Sequence, residues 1–504
     1  MSSAGADCHM LYAMNAPVVH DRAFFGHPRG LSTLFFTEMW ERFSYYGMRA
    51  LLILFMTAPL AQGGLAFDTA TAGAVYGLYT SMVYMTTLPG GWIADRLIGQ
   101  RRAVFYGGVI IACGHFSMAF PSLATFYLGL FLIVIGTGLL KGNVSVIVGQ
   151  LYGPTDTRRD AGFSIFYMGI NLGAFIAPLV CGYLGQRVNW HLGFAAAGVG
   201  MVIGLIQYQL GAKYLGTAGL EPEPAASPAA AATLERRARL VGGLAAVALV
   251  IFGVAAYGGV IPITQVADAA GYMLLVITVA FFGWLFLSGN WTPGERKRLY
   301  VIGLFFLAAA LFWSLFEQAG STLNLFGDRD TRTSVFGWSF PSSWFQSMNS
   351  MFVWMLAPVF AWLWIRLGRR EPSTPVKFSF GLLLVGAGFA VLVVASQLAA
   401  DGVQVSPLWL TVVYLLHTCG ELCLSPVGLS AMTKLAPARI CGLMMGVWFL
   451  ATSVGNFIAG RLAGFYEQMP LPTLFTTIAL FGIVAGFLLL LLSPSIKRMM
   501  GEVN

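Results

Sequence analysis

Charged side chains interrupt an apolar stretch near the start of this chain. The segment TEMWERFSYYGMRA (37–50) contains Glu38, Glu41, Arg42 and Arg49, and apolar sequence flanks it on both sides. On a helix, these four residues and the two tyrosines between them fall within a sector of about 140° and form a polar stripe about 16 Å long. Buried carboxylates can take up a proton, and guanidinium groups can bind a carboxylate. The stripe could therefore bind a proton or an anion, or could hold neighbouring helices together through ion pairs.

The composition of the chain places this stripe inside a membrane. Of the 504 residues, 57% are hydrophobic and only 10% are charged, whereas charged residues make up roughly a quarter of an ordinary soluble protein. A charge at membrane depth costs at least about 2.5–3.5 kcal/mol on insertion scales. Because apolar packing would hold the helices together without that cost, we favour a functional role for the stripe over a structural one.

Charge and cysteine content exclude several other classes of protein. The net charge of +8 does not indicate a nucleic-acid partner, because the basic residues recur in short loops instead of forming one patch. The six cysteines form no CxxC pair and lie mostly in apolar runs, so we interpret them as buried thiols and expect neither disulfides nor a metal site. No cleavable signal opens the chain.

Fourteen apolar stretches are long enough to cross a bilayer, which takes about 20 residues each. They lie near 31–58, 71–97, 102–121, 123–150, 161–186, 190–212, 240–260, 268–289, 299–325, 342–366, 377–399, 406–434, 439–467 and 471–494. We therefore predict an all-α integral membrane protein. Its predicted parts are a cytoplasmic tail at 1–30, a six-helix bundle at 31–212, a cytoplasmic linker at 213–239, two inserted helices at 240–298 and a second six-helix bundle at 299–497.

Lysine and arginine indicate how these spans are oriented. Connections that follow even-numbered spans carry sequences such as ADRLIGQRR and ERKR, whereas the others are nearly free of basic residues. The exceptions are Arg187, Arg329 and Arg332. The positive-inside rule then places both termini in the cytoplasm. The halves also resemble each other, since GAFIAPLVCG (173–182) aligns with GNFIAGRLAG (455–464). Such a duplication predicts a substrate site near the midplane, between the halves.

One connection resembles a motif of the major facilitator superfamily. GGWIADRLIGQRR, after the second span, has Asp95, Arg96, Arg101 and Arg102 at the polar positions of that motif. Asp95 lies near a predicted helix end, beside arginines that can pair across the interface between the bundles. We therefore interpret these four residues as a conformational latch between two states rather than as a substrate site.

The polar stripe carries a more specific resemblance. EMWERFSYYG resembles the ExxERFxYYG signature of the proton-coupled oligopeptide transporter family, and FYMGINLGAF (166–175) is similar to a second signature, with Ala174 where serine is common. GTGLLKGNVS, FWSLFEQAGSTLNLF, FQSMN and GELCLSPVG extend the match over nearly the whole chain, and bacterial members have two extra helices as here. The resemblance implies the major facilitator superfamily fold, two six-helix bundles plus two extra helices, and a symporter that imports di- and tripeptides with protons by alternating access.

The resemblance also implies where the two ends of a peptide bind. The peptide carboxylate would meet Arg42, Arg49 and Lys141, and its amino end would meet Glu421. Taken alone, Lys141 could instead be a structural partner of the stripe carboxylates. Further implied substrate-binding positions, each of which could by itself be a packing or interhelical contact, are Tyr45, Tyr46, Tyr84, Asn171, Trp313, Asn349, Ser425 and Trp448.

Proton coupling is implied to rest on carboxylates. Animal members of the family have a functional histidine in helix two, and residues 71–94 contain none. Glu38, Glu41 and Glu317 are the candidates, and Glu317 would also pair with the arginine at position 49 as a gate. We interpret His417, four residues before the acid of the tenth span, as a packing residue.

Three other functions stay open at this point. Some relatives in the family carry nitrate or other small anions, although the acid at Glu421 would repel an anion. A multi-pass membrane enzyme is a second alternative, but we find no HExxH, GxSxG or paired-carboxylate metal motif. A receptor or scaffold is the third. We expect a monomer surrounded by lipid in the inner membrane of a bacterial cell, with protons as the coupling ion and no other cofactor.

Overall fold

A computed structural model of the chain describes residues 21–153, 155–224, 227–229, 232–240, 242–243, 262–287, 289–400 and 402–501. Within these ranges nine helices are long and apolar enough to cross a membrane. The first long helix is not among them, because the charges of the polar stripe interrupt its apolar sequence. Most of the predicted tail at 1–30 and the predicted span near 240–260 lie outside the described residues.

Helices follow one another along the described residues. In chain order they are α1 (Arg29–Thr57), α2 (Thr69–Met85), α3 (Thr87–Ile93), α4 (Gln100–Met118), α5 (Leu123–Gln150), α6 (Arg159–Tyr183), α7 (Trp190–Gly211), α8 (Ile263–Leu287), α9 (Pro293–Phe316), α10 (Thr322–Arg329), α11 (Ser347–Leu367), α12 (Thr374–Ala399), α13 (Leu408–Leu435), α14 (Met444–Ala463) and α15 (Leu471–Met500). A small hairpin of β1 (Ser334–Val335) and β2 (Trp338–Ser339) precedes α11.

Local sequence accounts for several helix boundaries. The side chain of Asp68 accepts a hydrogen bond from the backbone N–H of Thr71 and caps α2. A capping box of Thr292 and Glu295, with Pro293 at the first helical position, starts α9. The caps place both helix starts in polar sequence, so α9 begins before the apolar run that predicted its span.

Two groups of helices form the two halves of the molecule. In the first half α1 packs against α6 and α7, and α4 packs against α5 and α7. In the second half α12 packs against α13 and α15, and α9 packs against α14 and α15. The halves meet mainly along two seams, where α2 packs against α14 and α6 against α11, and α1 also contacts α10. Two seams that pair the second span of each half with the fifth span of the other are what a duplicated six-helix unit predicts.

Glycines bring the helices of the α2–α14 seam into direct backbone contact. A Cβ atom added to Gly460 would overlap the Cα atom of Gly77, and one added to Gly73 would lie 2.5 Å from the carbonyl oxygen of Gly460. Small residues allow this approach in membrane helices, where close packing provides much of the association energy. No side chain separates the two helices at these positions.

The helix α8 lies outside the two halves. It packs mainly against α2, with smaller contacts to α9 and α14, and about one tenth of its most apolar window is buried. An ion pair between Asp268 and Arg461 fixes it beside the α2–α14 seam. The remainder of α8 is apolar and exposed, as expected for a helix that faces lipid.

Candidate functional site

A cavity of about 80 Å³ is lined by residues of both halves. We call the side of the molecule where α1 begins the α1-start face, and the opposite side the α1-end face. The residues that line the cavity are Tyr46, Arg49, Tyr84, Trp313, Phe316, Glu317, Ala319, Gln346, Asn349, Ser350, Tyr414, His417 and Glu421. A cavity bounded by both halves is where the duplicated architecture predicts the substrate site.

An ion pair joins the halves at one side of this cavity. Arg49 Nη2 of α1 lies 2.7 Å from Glu317 Oε2, directly after α9, and both side chains are about 5% exposed. Arg49 Nε donates a 2.8 Å hydrogen bond to the hydroxyl of Tyr76 on α2. The guanidinium group is therefore fixed by two partners on different elements. Charged groups so deeply buried are stabilised only when their partners remain in place.

The chain bends sharply where Glu317 enters the site. The helix α9 ends at Phe316, residues Glu317–Gly320 form one 3₁₀ turn, and Ser321 adopts φ −125° and ψ −92° before α10 begins. A Cβ atom at Gly320 would overlap the Tyr76 hydroxyl and lie 2.6 Å from Arg49 Nε. The absence of a side chain at Gly320 therefore lets the arginine and the tyrosine reach the bend.

The polar stripe of α1 forms its own charge cluster. Arg42 Nε lies 2.7 Å from Glu38 Oε1 and 3.0 Å from Glu41 Oε2, and all three side chains are buried. The ammonium group of Lys141 lies 3.5 Å from the centre of the Tyr84 ring. Among the described residues, Lys141 Nζ has no hydrogen-bond partner and no carboxylate oxygen within 4.0 Å. In this conformation Arg42, and not Lys141, makes the ion pairs with the stripe carboxylates.

The second half contributes a further acid to the cavity. Glu421 on α13 accepts a 2.9 Å hydrogen bond through Oε2 from Asn349 Nδ2 on α11. Asn349 Nδ2 also lies 3.1 Å from the Thr418 hydroxyl. No cation of the described residues lies within 4.0 Å of Glu421, because its polar neighbours are amide and hydroxyl groups. The second half therefore presents a buried carboxylate to the cavity.

The remaining predicted binding residues divide into two groups. Tyr46, Tyr84 and Trp313 line the cavity, and the other four do not. Tyr45 stacks on Tyr79, Asn171 donates to the carbonyl oxygen of Tyr167 in its own helix, Trp448 packs against Gly428, and Ser425 is half-buried one turn beyond Glu421.

The four predicted latch residues contact their own half of the molecule. Arg101 donates hydrogen bonds to the carbonyl oxygens of Ala218 and Gly216, and Arg96 Nη2 lies 3.3 Å from Glu223 Oε2. Asp95 accepts a hydrogen bond from Gln100, and Arg102 is exposed. In this conformation their contacts go to the segment after α7, so a latch across the two bundles stays a prediction.

Sequence reasoning missed several residues of the site, one that holds Arg49 and others that line the cavity. They are Tyr76, which holds the arginine, and Phe316, Ala319, Gln346, Ser350 and Tyr414, which line the wall. His417, interpreted as a packing residue, also faces the cavity while its ring packs 5.2 Å from that of Phe389. The signal that could have identified Tyr76 is chemical. A tyrosine hydroxyl buried in a membrane helix usually finds a hydrogen-bond partner, and the second arginine of the polar stripe on α1 offers one.

The fold and the site together define a class of protein. Two helical halves that enclose a charged cavity, closed by an ion pair between the halves, are the architecture of a secondary transporter. The chain is a multi-pass membrane protein and a transporter rather than an enzyme.

Comparison with known proteins identifies the family. The PTR2 model, described as the POT family, matches residues 101–478. Peptide transporter YePEPT of Yersinia enterocolitica is 44% identical over 502 residues, 96% of this chain and 97% of its own. The di-/tripeptide transporter of Lactococcus lactis subsp. cremoris is 38% identical, covering 96% and 99%. The crystal structure of a peptide transporter POT in complex with sulfate matches at a TM-score of 0.90 and 43% identity, covering 98% and 99%. The chain belongs to the POT family, which confirms the predicted family and fold.

Proposed function

We propose that this chain imports di- and tripeptides together with protons by alternating access. One observation carries the proposal. Arg49 from the first half and Glu421 from the second half line the same cavity. A zwitterionic peptide has a carboxylate at one end and an ammonium group at the other, so it matches this arrangement of charge. The names of the YePEPT and Lactococcus relatives, a peptide transporter and a di-/tripeptide transporter, support the same substrate class.

The peptide carboxylate binds on the α1 side of the cavity. Lys141 is buried and its ammonium group makes no hydrogen bond to the described residues. It contacts the Tyr84 ring, a neutral partner, so a peptide carboxylate can pair with it without displacing an existing salt bridge. Arginine at positions 42 and 49 adds planar donors that suit a carboxylate.

Protons act on the carboxylates that hold those arginines. When Glu41 or Glu38 takes up a proton, Arg42 loses part of the negative charge that is paired with it and becomes available to the peptide. When Glu317 takes up a proton, its ion pair with Arg49 breaks and the α1-end face can open. Protonation of the carboxylates releases the same guanidinium groups that the peptide carboxylate binds. Proton uptake and peptide binding are therefore coupled.

The proposed orientation places the α1-start face in the cytoplasm. The predicted basic connections lie on that face, and the positive-inside rule favours it as the inner side. The α1-end face would then be outward and, in this conformation, closed by the Arg49–Glu317 pair. We place the protein in a bacterial inner membrane, with both termini cytoplasmic, and we expect it to work as a monomer.

Uptake of labelled dialanine into proteoliposomes tests the proposal. We expect accumulation with an inward proton gradient and its collapse on addition of a protonophore. Excess nitrate should not compete. Uptake that is the same with and without the proton gradient would overturn proton coupling. Absence of uptake in folded protein, together with transport of nitrate, would overturn the peptide assignment within the same fold.

Glu421→Gln tests the proposed binding geometry in the same vesicles. The amide preserves a hydrogen-bond acceptor for Asn349 but loses the charge that meets the peptide ammonium group. We expect the KM for dialanine to rise at least about tenfold, because a charge-assisted hydrogen bond is worth about 1.5–3 kcal/mol. An unchanged KM would show that the peptide amino end binds elsewhere.

A further inference from the structure

The α6–α11 seam is closed at the α1-end face by one row of hydrogen bonds. The row comes from the turn Ser342–Gln346 and the first residue of α11. Ser347 donates a 2.7 Å bond to the carbonyl oxygen of Phe175, and Trp344 Nε1 donates a 3.1 Å bond to that of Leu179. The backbone N–H of Ser343 donates to Gln186 Oε1 at 3.0 Å. Each of these bonds joins the second half to α6 or to the turn that follows it.

A third element completes the row at Gln186. Gln186 Nε2 donates to the Ser342 hydroxyl at 2.8 Å and to Asp328 Oδ1 at 3.2 Å. The Ser342 hydroxyl in turn donates to Asp328 Oδ1 at 2.6 Å. Ser342 is 3% exposed, so its hydroxyl is buried and depends on these two partners. Asp328, at the end of α10, has no cation within 4.0 Å among the described residues, so it acts here as a hydrogen-bond acceptor.

We propose that Gln186, Asp328 and Ser342 form a hydrogen-bonded clasp, without an ion pair, that holds the α6–α11 seam shut at the α1-end face and positions the start of α11. None of the three lines the cavity or belongs to an ion pair. The clasp is therefore separate from the Arg49–Glu317 gate, which lies at the cavity itself. The inference rests on the proposed alternating access, and it extends that function with three positioning residues.

The chain connects the clasp directly to the substrate site. Gln346 ends the clasped turn, and Asn349, which binds Glu421, follows one turn into α11. Both residues line the cavity. A substrate that moves Asn349 must also move the turn whose other end is bonded to Gln186. When the α1-end face opens, the bonds from Gln186 to the second half must break, because they join different halves.

Distance measurements on the whole protein test the clasp without any substrate. Spin labels at Gln62→Cys and Val403→Cys report separation of the halves at the α1-end face, where both positions are exposed. The chain without the two added cysteines controls for labelling of native cysteines. Gln186→Ala loses the bonds to Ser342, Ser343 and Asp328, and Asp328→Ala loses the bonds from Gln186 and Ser342. In both variants we expect the ratio of the open to the closed population to rise at least about tenfold.

Asp328→Asn is the matched control, because asparagine retains the acceptor oxygen and removes the charge. Because a neutral acceptor makes weaker bonds than a carboxylate, we expect its distance distribution to lie between those of the unaltered chain and Asp328→Ala. Unchanged distances in both alanine variants would overturn the clasp, and so would an asparagine variant as open as the alanine variant. If Gln186→Ala does not fold, the comparison of Asp328→Ala with Asp328→Asn still tests the clasp. Failure of dialanine uptake with a working clasp would overturn only the substrate assignment.

Discussion

Arg49 is held by groups from two other elements, and only one of them is charged. Glu317 supplies the ion pair, and the Tyr76 hydroxyl accepts the hydrogen bond from Nε. The two partners leave the guanidinium group one orientation in this conformation. At the scale of single residues, the gate is thus a three-residue unit, and its neutral member can be removed without altering any charge.

Tyr76→Phe should weaken the gate and leave the fold intact. Loss of a hydrogen bond to a charged group costs about 1.5–3 kcal/mol, so we expect proton-driven dialanine uptake to fall about tenfold. Tyr79→Phe is the control, because the Tyr79 hydroxyl is equally buried on the same helix and has no hydrogen-bond partner among the described residues. Equal uptake by the two phenylalanine variants would contradict the role given to Tyr76.

Gly320→Ala tests the same unit from the side of the bend. The added methyl group would overlap the Tyr76 hydroxyl and crowd Arg49 Nε, so the arginine must leave Glu317 or the bend must shift. We expect uptake to fall at least tenfold, with loss of about 1–3 kcal/mol of stability from overpacking. Vesicle uptake and thermal unfolding measure the two effects. Gly91→Ala, whose Cβ would meet nothing within 4 Å, should change neither.

At the scale of helices, hydropathy predicts where the chain crosses the membrane but not how each helix ends or bends. The span predicted at 71–97 is divided at Thr86 into α2 and α3, which continue into a π turn at Ala94–Ile98. Close approach to α5 fixes the second piece, since a Cβ atom at Gly90 would overlap the carbonyl oxygen of Gly138. Such contacts depend on tertiary packing, which apolar content along one helix does not encode.

The glycine contact in the α2–α14 seam leads to a prediction for whole helices. Gly460→Ala would place a methyl group against the Cα atom of Gly77. Because backbone cannot move aside as a side chain can, the helices must separate, at a cost of about 1–3 kcal/mol. We expect a lower unfolding temperature and reduced uptake. Gly91→Ala again serves as the control, and an unfolding temperature equal in both variants would contradict the tight seam.

At the scale of the molecule, the sequence predicts the family, the two halves and the polar stripe, because the stripe and its motifs lie within short segments. It does not predict which partners meet across the halves. The bond from Tyr76 to Arg49 and the bonds around Gln186 join residues far apart in the chain. Arg329, an exception to the positive-inside pattern, is explained only by the structure, where its Nη1 atom lies 2.6 Å from Glu467 Oε1.

The ion pair between Arg329 and Glu467 predicts how contacts at the α1-end face respond to pH. Partial burial raises the pKa of Glu467, but the hydrogen bond and charge of Arg329 outweigh it and hold the pKa below the ordinary value of 4.5. A carboxylate whose pKa is lowered stabilises the folded protein fully at pH values above its ordinary pKa. This stabilisation is lost only as the pH falls through the lowered pKa. Between pH 7.5 and 5.5 the Arg329–Glu467 pair should therefore stay intact.

Glu467→Gln checks this expectation. We expect a reduction in uptake of less than about fivefold, as for an exposed ion pair, and the same ratio to the unaltered chain at pH 7.5 and 5.5. Glu371→Gln, which breaks an ion pair with Lys377, is the comparison variant. A ratio that changes between the two pH values would show that Glu467 titrates with the driving protons.

The backbone contact between Gly77 and Gly460 also concerns electrical insulation. A symporter operates in a membrane that holds a voltage, and every unit charge that leaks inward dissipates about 2.3 kcal/mol per 100 mV. Where glycine backbones touch along the α2–α14 seam, no space remains for a file of water molecules or for a lipid tail. The seam can therefore keep ions out at the junction of two moving parts, so that protons enter with substrate and not beside it.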